Sequence, residues 1–436
     1  MRESAKWVVM VAIAMICGAA VASDVTTRPA ASKGPLAGLP SKPDPHVEKI
    51  KALGDNSWLE LGAPEPDPKW GPARGRSWSA PMPYAPDLGG AFLFGNGPHG
   101  AMFQGNHYGD ELYFYDANAH AWVCCYPGFD VTRYGEVRIS ADGFETIDGG
   151  PVPIAPMVHT WTMVGYDTHL RRFICMPIDN ASYWSMRFKT RRAFLESSEI
   201  KWNRFQGSPW MWDVVTGTWG RRKTASPGPG RLYGGLFYVP SRKKTWYYHC
   251  GTKTVFYYDA ATNDWTRVET KGPKPPFGID FTACLDAKRD RVYFGGGSGG
   301  RGPGDSGLEK DRNALWVYDV KADAFIDPAP KGSPPGGSNR YGPQGAMMHY
   351  DTANDVVVLF RFIPKAGGKT GVFVYDPAKN TWITAETTLP SWVGNTWSGF
   401  YHPEFNAHVI HSAGDGRTNG KMFVYRYKRR AEQGQR

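Results

Sequence analysis

The chain has 436 residues, 41% of them hydrophobic and 21% charged, with a net charge of +10 at neutral pH. That length and apolar content exclude a disordered polymer and leave room for two or three ordinary domains. The charge favours anionic partners. It is spread along the chain, with a basic run only at Lys428-Arg429-Arg430, so no nucleic-acid partner is expected.

At the N-terminus Arg2 and Lys6 accompany an almost unbroken apolar run from Trp7 to Val21, followed by the small-x-small sequence Ala20-Val21-Ala22. This is the pattern of a cleaved secretory signal over residues 1–22, and the run is short for a membrane anchor. A secreted or periplasmic protein with no membrane span after cleavage is expected. Residues 23–47 are rich in Pro, Ala, Ser and Lys without periodicity, and read as a linker. Residues 48–430 hold the remaining pattern. Of six cysteines, Cys124, Cys125, Cys175, Cys250 and Cys284 follow the leader. Their odd number argues against a full disulfide framework, and their spacing is not that of a zinc site. Most are expected in strands as small buried hydrophobes.

Two patterns then alternate. In the first an apolar-aromatic strand ends in Asp, and an aromatic residue follows six positions later: Asp116 to Trp122, Asp213 to Trp219, Asp259 to Trp265, Asp319 to Phe325 and Asp376 to Trp382. In the second a short turn separates two apolar strands with the same spacing of six, as from Asp167 to Phe173, Asp286 to Val292 and Asp351 to Val357. The two describe a four-stranded antiparallel unit, with the second pattern joining strands one and two and the first joining three and four. An Asp in such a turn accepts hydrogen bonds from nearby backbone amides. One unit cannot bury both of its faces, so the units must stack radially.

These Tyr-Asp-x5-Trp elements and the run Gly295-Gly296-Gly297 resemble the kelch repeat, over roughly residues 50–427. The resemblance implies an all-β fold, a single kelch-type β-propeller. Asn56-Ser57-Trp58-Leu59 matches Asn380-Thr381-Trp382-Ile383, and no fourth strand follows Met422 to Tyr425. An N-terminal strand is therefore expected to complete the last blade, giving six blades. A seventh fits only if the 97 residues between Asp116 and Asp213 hold two blades rather than one with insertions.

The turns within the two hairpins are short and share one end of every blade. The stretches at the other end are long: Gly95 to Asp110, Phe129 to Val158, Pro177 to Pro209 and Gly295 to Asn313. Function grafted on a rigid scaffold concentrates in such loops. Residues just ahead of the innermost strands there are His159, Tyr233, Asp280, Arg340, Tyr341, Asn395 and Trp397, and the loops add His99, His107, Arg301 and Asp305. His99, His107, His159, Tyr233, Arg340 and Tyr341 are the candidate catalytic set, because imidazole and phenol exchange protons and Arg grips a carboxylate. Asp280, Arg301, Asn395 and Trp397 are candidate substrate contacts. The structural alternative has His99 and His107 ordering their loop through backbone hydrogen bonds, and Asp280 paired with Arg340.

GNGPHGAMFQGNHYGDELYFYD and VHTWTMVGYD are similar to the first two blades of secreted bacterial galactose-oxidase-like kelch proteins. Secretion, positive charge, the His/Tyr/Arg set, and Trp397 and Tyr341, whose rings can stack on the apolar face of a sugar, point to carbohydrate recognition. Copper-radical chemistry would need two Tyr, two His and a Tyr-linked Cys. Tyr401-His402 falls at the short-turn end, and Tyr248-His249 beside Cys250 lacks companions, so neither a metal nor another cofactor is expected. Two function classes follow. One is the binding, and in its catalytic form the lyase-like processing, of an acidic polysaccharide. The other is a non-catalytic scaffold for a protein or envelope partner.

Overall fold

The computed structural model describes residues 34–76, 81–95, 103, 105–151, 160, 162–176, 193, 207–229, 234–276, 281–295, 314–332, 334, 346–363, 369–388, 397–413 and 420–429. In chain order they form helix α1 (His46–Ala52), β1 (Ser57–Gly62), β2 (Tyr84–Ala85), β3 (Gly90–Leu93), β4 (Leu112–Asp116) and β5 (Ala121–Tyr126). An inserted segment holds β6 (Arg138–Ile139), β7 (Glu145–Ile147) and β8 (Gly150–Pro151). Then come β9 (Val164–Asp167), β10 (Arg172–Cys175), β11 (Trp210–Asp213), β12 (Thr218–Gly220), β13 (Gly234–Val239), β14 (Lys244–His249), β15 (Thr254–Asp259) and β16 (Asp264–Val268). The chain continues through β17 (Thr282–Asp286), β18 (Arg291–Gly295), β19 (Leu315–Asp319), β20 (Ala324–Ile326), β21 (Ala346–Asp351), β22 (Val356–Ile363), β23 (Lys369–Asp376) and β24 (Thr381–Thr388). It ends with β25 (Trp397–His402), β26 (Ala407–Ser412) and β27 (Lys421–Arg426).

Among the described residues these strands make six four-stranded antiparallel sheets and one three-stranded sheet. Sheets one to five are β2–β5, β9–β12, β13–β16, β17–β20 and β21–β24, and sheet six is β25–β27 with β1. The long interval between Asp116 and Asp213 thus holds sheet two and the small sheet β6–β8, which occupies part of the expected loop from Phe129. The arrangement is all-β and consistent with a β-propeller.

The spacing of six is a hairpin rule. Asp259 accepts the amides of Ala261 and Thr262 at 3.0 and 3.3 Å, Asn263 turns left-handed at φ 56°, and Trp265 arrives opposite Tyr258. Asp116, Asp213 and Asp376 hold the equivalent turns, and Asp167, Asp286 and Asp351 hold those between strands one and two. Asn and Asp tolerate the left-handed position because their short polar side chains bond locally. A tyrosine hydroxyl then ties that residue to the preceding strand: Tyr258 to Asn263, Tyr318 to Asp323 and Tyr375 to Asn380, each at 2.8 Å.

Each gap between consecutive sheets is filled by its own apolar cluster. Phe92 and Phe114 of sheet one meet Phe173 and Trp210 of sheet two, and similar clusters fill the next four gaps. The sixth cluster sets Leu93, Tyr113 and Trp122 of sheet one against Phe400, Val409 and Val424 of sheet six. Parallel bridges Thr162–Gly235 and Pro81–Gly399 lay the innermost strands of neighbouring sheets side by side. Strands β21 and β25 are buried along their whole length.

Strand β1 forms the edge of sheet six beside β27. Trp58 pairs with Tyr425 and Leu59 with Val424. Asn56 is left-handed at φ 47° and accepts the Tyr425 hydroxyl at 2.8 Å, reproducing between segments 369 positions apart the contact of Tyr375 with Asn380. Farther along, Glu65 exchanges backbone hydrogen bonds with His120 and Trp122 of sheet one. Lys271 and Lys331, which follow β16 and β20, do the same on sheets four and five.

Of residues 23–47, read from the sequence as a linker, those from Gly34 onward are described, and they pack against the sheets. Leu36 and Val47 are buried, Asp44 donates its amide to Asn118, and Asn118 Nδ2 donates to the Ser41 carbonyl. Arg426 then donates to the Lys51 and Leu53 carbonyls and ties the strap to sheet six. Apolar side chains spaced through a proline-rich stretch find a groove across the turns, which composition does not reveal.

If the Tyr425–Asn56 bond works as its internal copies do, Tyr425→Phe should cost about 1 kcal/mol, the usual net value of a hydrogen bond. Asn56→Ala should cost more, since Ala also resists the left-handed backbone. Urea unfolding of both single variants and the double variant checks this: the double variant should lose less than the sum, and strict additivity would refute the contact.

Candidate functional site

A cavity of about 350 Å³ lies on the axis, walled by residues from the innermost strand of all six sheets. Pro86, Thr168, Pro240, Ala287, Thr352 and Pro403 mark its short-turn end. The walls are mainly apolar, and of their tyrosines Tyr166, Tyr350 and Tyr401 have hydroxyls engaged in hydrogen bonds. Tyr166 donates to Asp87 at 3.0 Å and Tyr401 to Asn406 at 3.0 Å. Burial pushes the Tyr238 hydroxyl up to about 12 and drives Tyr166 and Tyr401 higher still. None of these phenols exchanges protons near neutral pH.

His349 also lines this cavity. Its ring stacks on His408 of sheet six at 5.4 Å with 10° between planes, and the two Nδ1 atoms are 3.2 Å apart. His408 Nε2 lies 3.7 Å from Asp351 Oδ2. The His408 ring beside Asp351 holds that carboxyl below its ordinary value against the effect of burial. His349 is pushed well below the ordinary imidazole value by burial first and by His408 second.

At the opposite, long-loop end stands a buried charge cluster. The segment after β1 supplies Arg74 and Arg76, and the residue ahead of β4 is Glu111. Arg74 grips Glu111 with two hydrogen bonds of 2.9 and 3.0 Å, and Arg76 Nη1 lies 3.0 Å from the same carboxylate. Arg76 also donates to the Arg74 carbonyl, and Arg74 lies over the Phe103 ring. Glu111 and Arg76 are wholly buried, and desolvation lowers the Arg76 pKa although Glu111 opposes it. The candidate list omitted this cluster. The available signal was an acidic pair, Asp110-Glu111, opening an otherwise apolar strand, which demands either solvent or a partner.

Of the expected site residues, His107 and Trp397 fall among the described residues. His107 is half-buried; its Nδ1 bonds the Gly128 carbonyl at 2.8 Å and its ring meets Trp70 at 4.9 Å. Those are the contacts of a loop-ordering residue. Trp397 is 6% exposed and packs in the core with Phe360 and Phe423. His99, His159, Tyr233, Asp280, Arg301, Arg340, Tyr341 and Asn395 lie outside the described residues, as does Asp305.

The two Tyr-His pairs have structural surroundings. His402 stacks on Phe405 at 3.8 Å, and His249 Nδ1 meets Thr252 Oγ1 at 2.8 Å. Among the described residues no group of three or more His, Cys, Asp or Glu is placed to hold a metal ion. Cys124, Cys125, Cys175, Cys250 and Cys284 are buried, and no disulfide joins them among the described residues. No helix among the described residues is long and apolar enough to cross a membrane.

No family model matches the chain, and no curated protein matches it. Among solved structures it is similar to the GH74 enzyme of Niastella koreensis, at 9% identity and a TM-score of 0.37, over 80% of this chain and 36% of that one. The chain therefore spans about a third of that structure's length.

Glu111→Gln should destabilise the protein by about 3–5 kcal/mol, because it strands a fully desolvated Arg76. Chemical unfolding would show this. A loss under 1 kcal/mol would mean that solvent reaches the guanidinium.

Proposed function

We propose that the chain is a secreted, six-bladed kelch-type β-propeller, closed by its N-terminal strand, that binds an acidic polysaccharide at the end carrying the long loops. The observation that carries this reading is the parallel alignment of the innermost strands. Strands that run the same way around one axis begin at the same end of it. His159, Tyr233, Asp280, Arg340-Tyr341 and Asn395 each precede one of those strands by a few residues. The excess positive charge suits a polyanion.

In the catalytic form of this reading the substrate is a uronate. Arg340 neutralises its carboxylate, an imidazole such as His159 takes the proton at C5, and Tyr233 returns a proton to the oxygen that departs from C4. The products are an unsaturated uronate and a free hydroxyl end, and the two proton transfers balance. No cofactor is needed. The internal turns at the other end of the axis offer phenols already committed to Asp87 and Asn406, which supports placing the chemistry at the long-loop end.

The test is affinity electrophoresis and product mass spectrometry over a panel of acidic and neutral polysaccharides. Retardation by uronate polymers is expected, weakened about 10- to 100-fold by Arg340→Ala, the range for a lost charged hydrogen bond. Unsaturated fragments that vanish in Tyr233→Phe without loss of retardation would identify the lyase. Indifference to every polymer would favour a protein-binding scaffold, in which His107 is only the loop-ordering residue that its bond to Gly128 suggests.

A further inference from the structure

Five histidines are buried among the described residues: His249, His349, His402, His408 and His411. Four of them border sheet six, the sheet that receives β1. His349 and His408 face each other between sheets five and six. His402 and His411 face sheet one, with rings 5.0 Å from Tyr84 and 5.1 Å from Trp122. His349 Nε2, His402 Nε2 and both nitrogens of His411 have no hydrogen-bond partner in the structure. His249, in sheet three, is bonded to Thr252.

We propose that sheet six is an acid-released latch: in mildly acidic medium its buried imidazoles take up protons, the sheet parts from its neighbours, and β1 is freed so that the ring opens between sheets six and one. The proposal rests on strand pairing and burial and is independent of the ligand.

The surroundings favour the neutral rings. His349 faces His408, the backbone of Gly399 and the Phe360 ring. Its neighbour His408 has the Asp351 carboxylate, with Tyr401 and Tyr425 alongside, and after burial it is the second influence that holds His349 down. His402 lies between Phe405, Phe400 and Tyr84, and the charges of Glu404 and Asp87 act on Tyr84. His411 faces Trp122, the Gly420 backbone and the Arg76 guanidinium, itself engaged with Glu111. Burial pushes His402 down to about 3, and burial with Arg76 pushes His411 to about 3. The strap leading to β1 carries a further pair, His46 and His120, at 5.4 Å; His120 is pushed down to about 4 by burial first and His46 second.

A folded-state pKa below the unfolded value means that the open state binds more protons. Stability from each ring is complete above the unfolded value, about 6.5, and falls as pH drops toward the folded value. At pH 5 each such ring shifts the opening equilibrium by about 30-fold. Carboxylates held low, such as Asp355, withdraw their contribution only below the ordinary carboxylate range. The interval from about pH 6.5 to 4.5 therefore belongs to the imidazoles.

Hydrogen exchange by mass spectrometry on the whole protein at pH 7, 5.5 and 4.5, corrected for intrinsic rates, tests the latch. Peptides from 57–62 and 397–426 should lose protection first, by 10-fold or more, while 234–268 and 282–326 keep theirs. His402→Gln or His411→Gln should remove about 10-fold of that loss at pH 5.5. Uniform loss over all sheets, loss confined below pH 4, or an unchanged acid response in correctly folded variants would each overturn the proposal. If the variants fold poorly at pH 7, the order of loss in the unaltered protein decides.

Discussion

A four-stranded sheet with two apolar faces has no stable existence alone, and that constraint governs this molecule. Every sheet needs a neighbour on each side, so a row of them must curve back on itself or leave two apolar faces in water. Six separate clusters fill six gaps here, and the sixth lies between the last sheet and the first. The pairing of Ser57–Gly62 with Lys421–Arg426 sets a strand from early in the chain at the edge of its last sheet. Since it is held by the forces that hold any other strand pair, its strength is an ordinary sum of small contacts, sensitive to what is buried beside it.

The hairpins were legible in the sequence because their causes are local. An Asp that accepts two amides, a left-handed residue and an aromatic residue two places on all lie within seven positions. The fourth strand of the last sheet was legible for the same reason: Asn56 and Trp58 copy a local motif with its first half missing. The buried groups were not. In a sheet covered on both faces, strand alternation no longer separates inside from outside. Nothing in MMHYD or YHPEFNAHVIHS marks which imidazoles will be sealed in. The Arg74–Glu111–Arg76 cluster joins segments 37 positions apart, and its residues look like surface charges until the partner is known.

The two ends of the axis differ in kind. At the short-turn end, hydroxyls and carboxylates are spent on holding hairpins, and the cavity they enclose is apolar. At the other end the chain makes its long excursions, and a sealed charge cluster stiffens the base of the first of them. Rigid geometry supplied beneath a variable surface is the condition under which long loops can carry specificity.

The joint between Asn56 and Tyr425 also fixes a history. The two residues are 369 positions apart, and the Asn56 amide further donates to the Tyr427 carbonyl. During synthesis β1 must therefore wait for β27, a partner made long after it. Until then an unpaired edge is exposed and invites a strand from another molecule. Contacts this distant in sequence form slowly. A newly made chain should pass through an arc of five complete sheets with a sixth left one strand short. The time spent as that arc sets how often two chains exchange their first strands instead of each keeping its own.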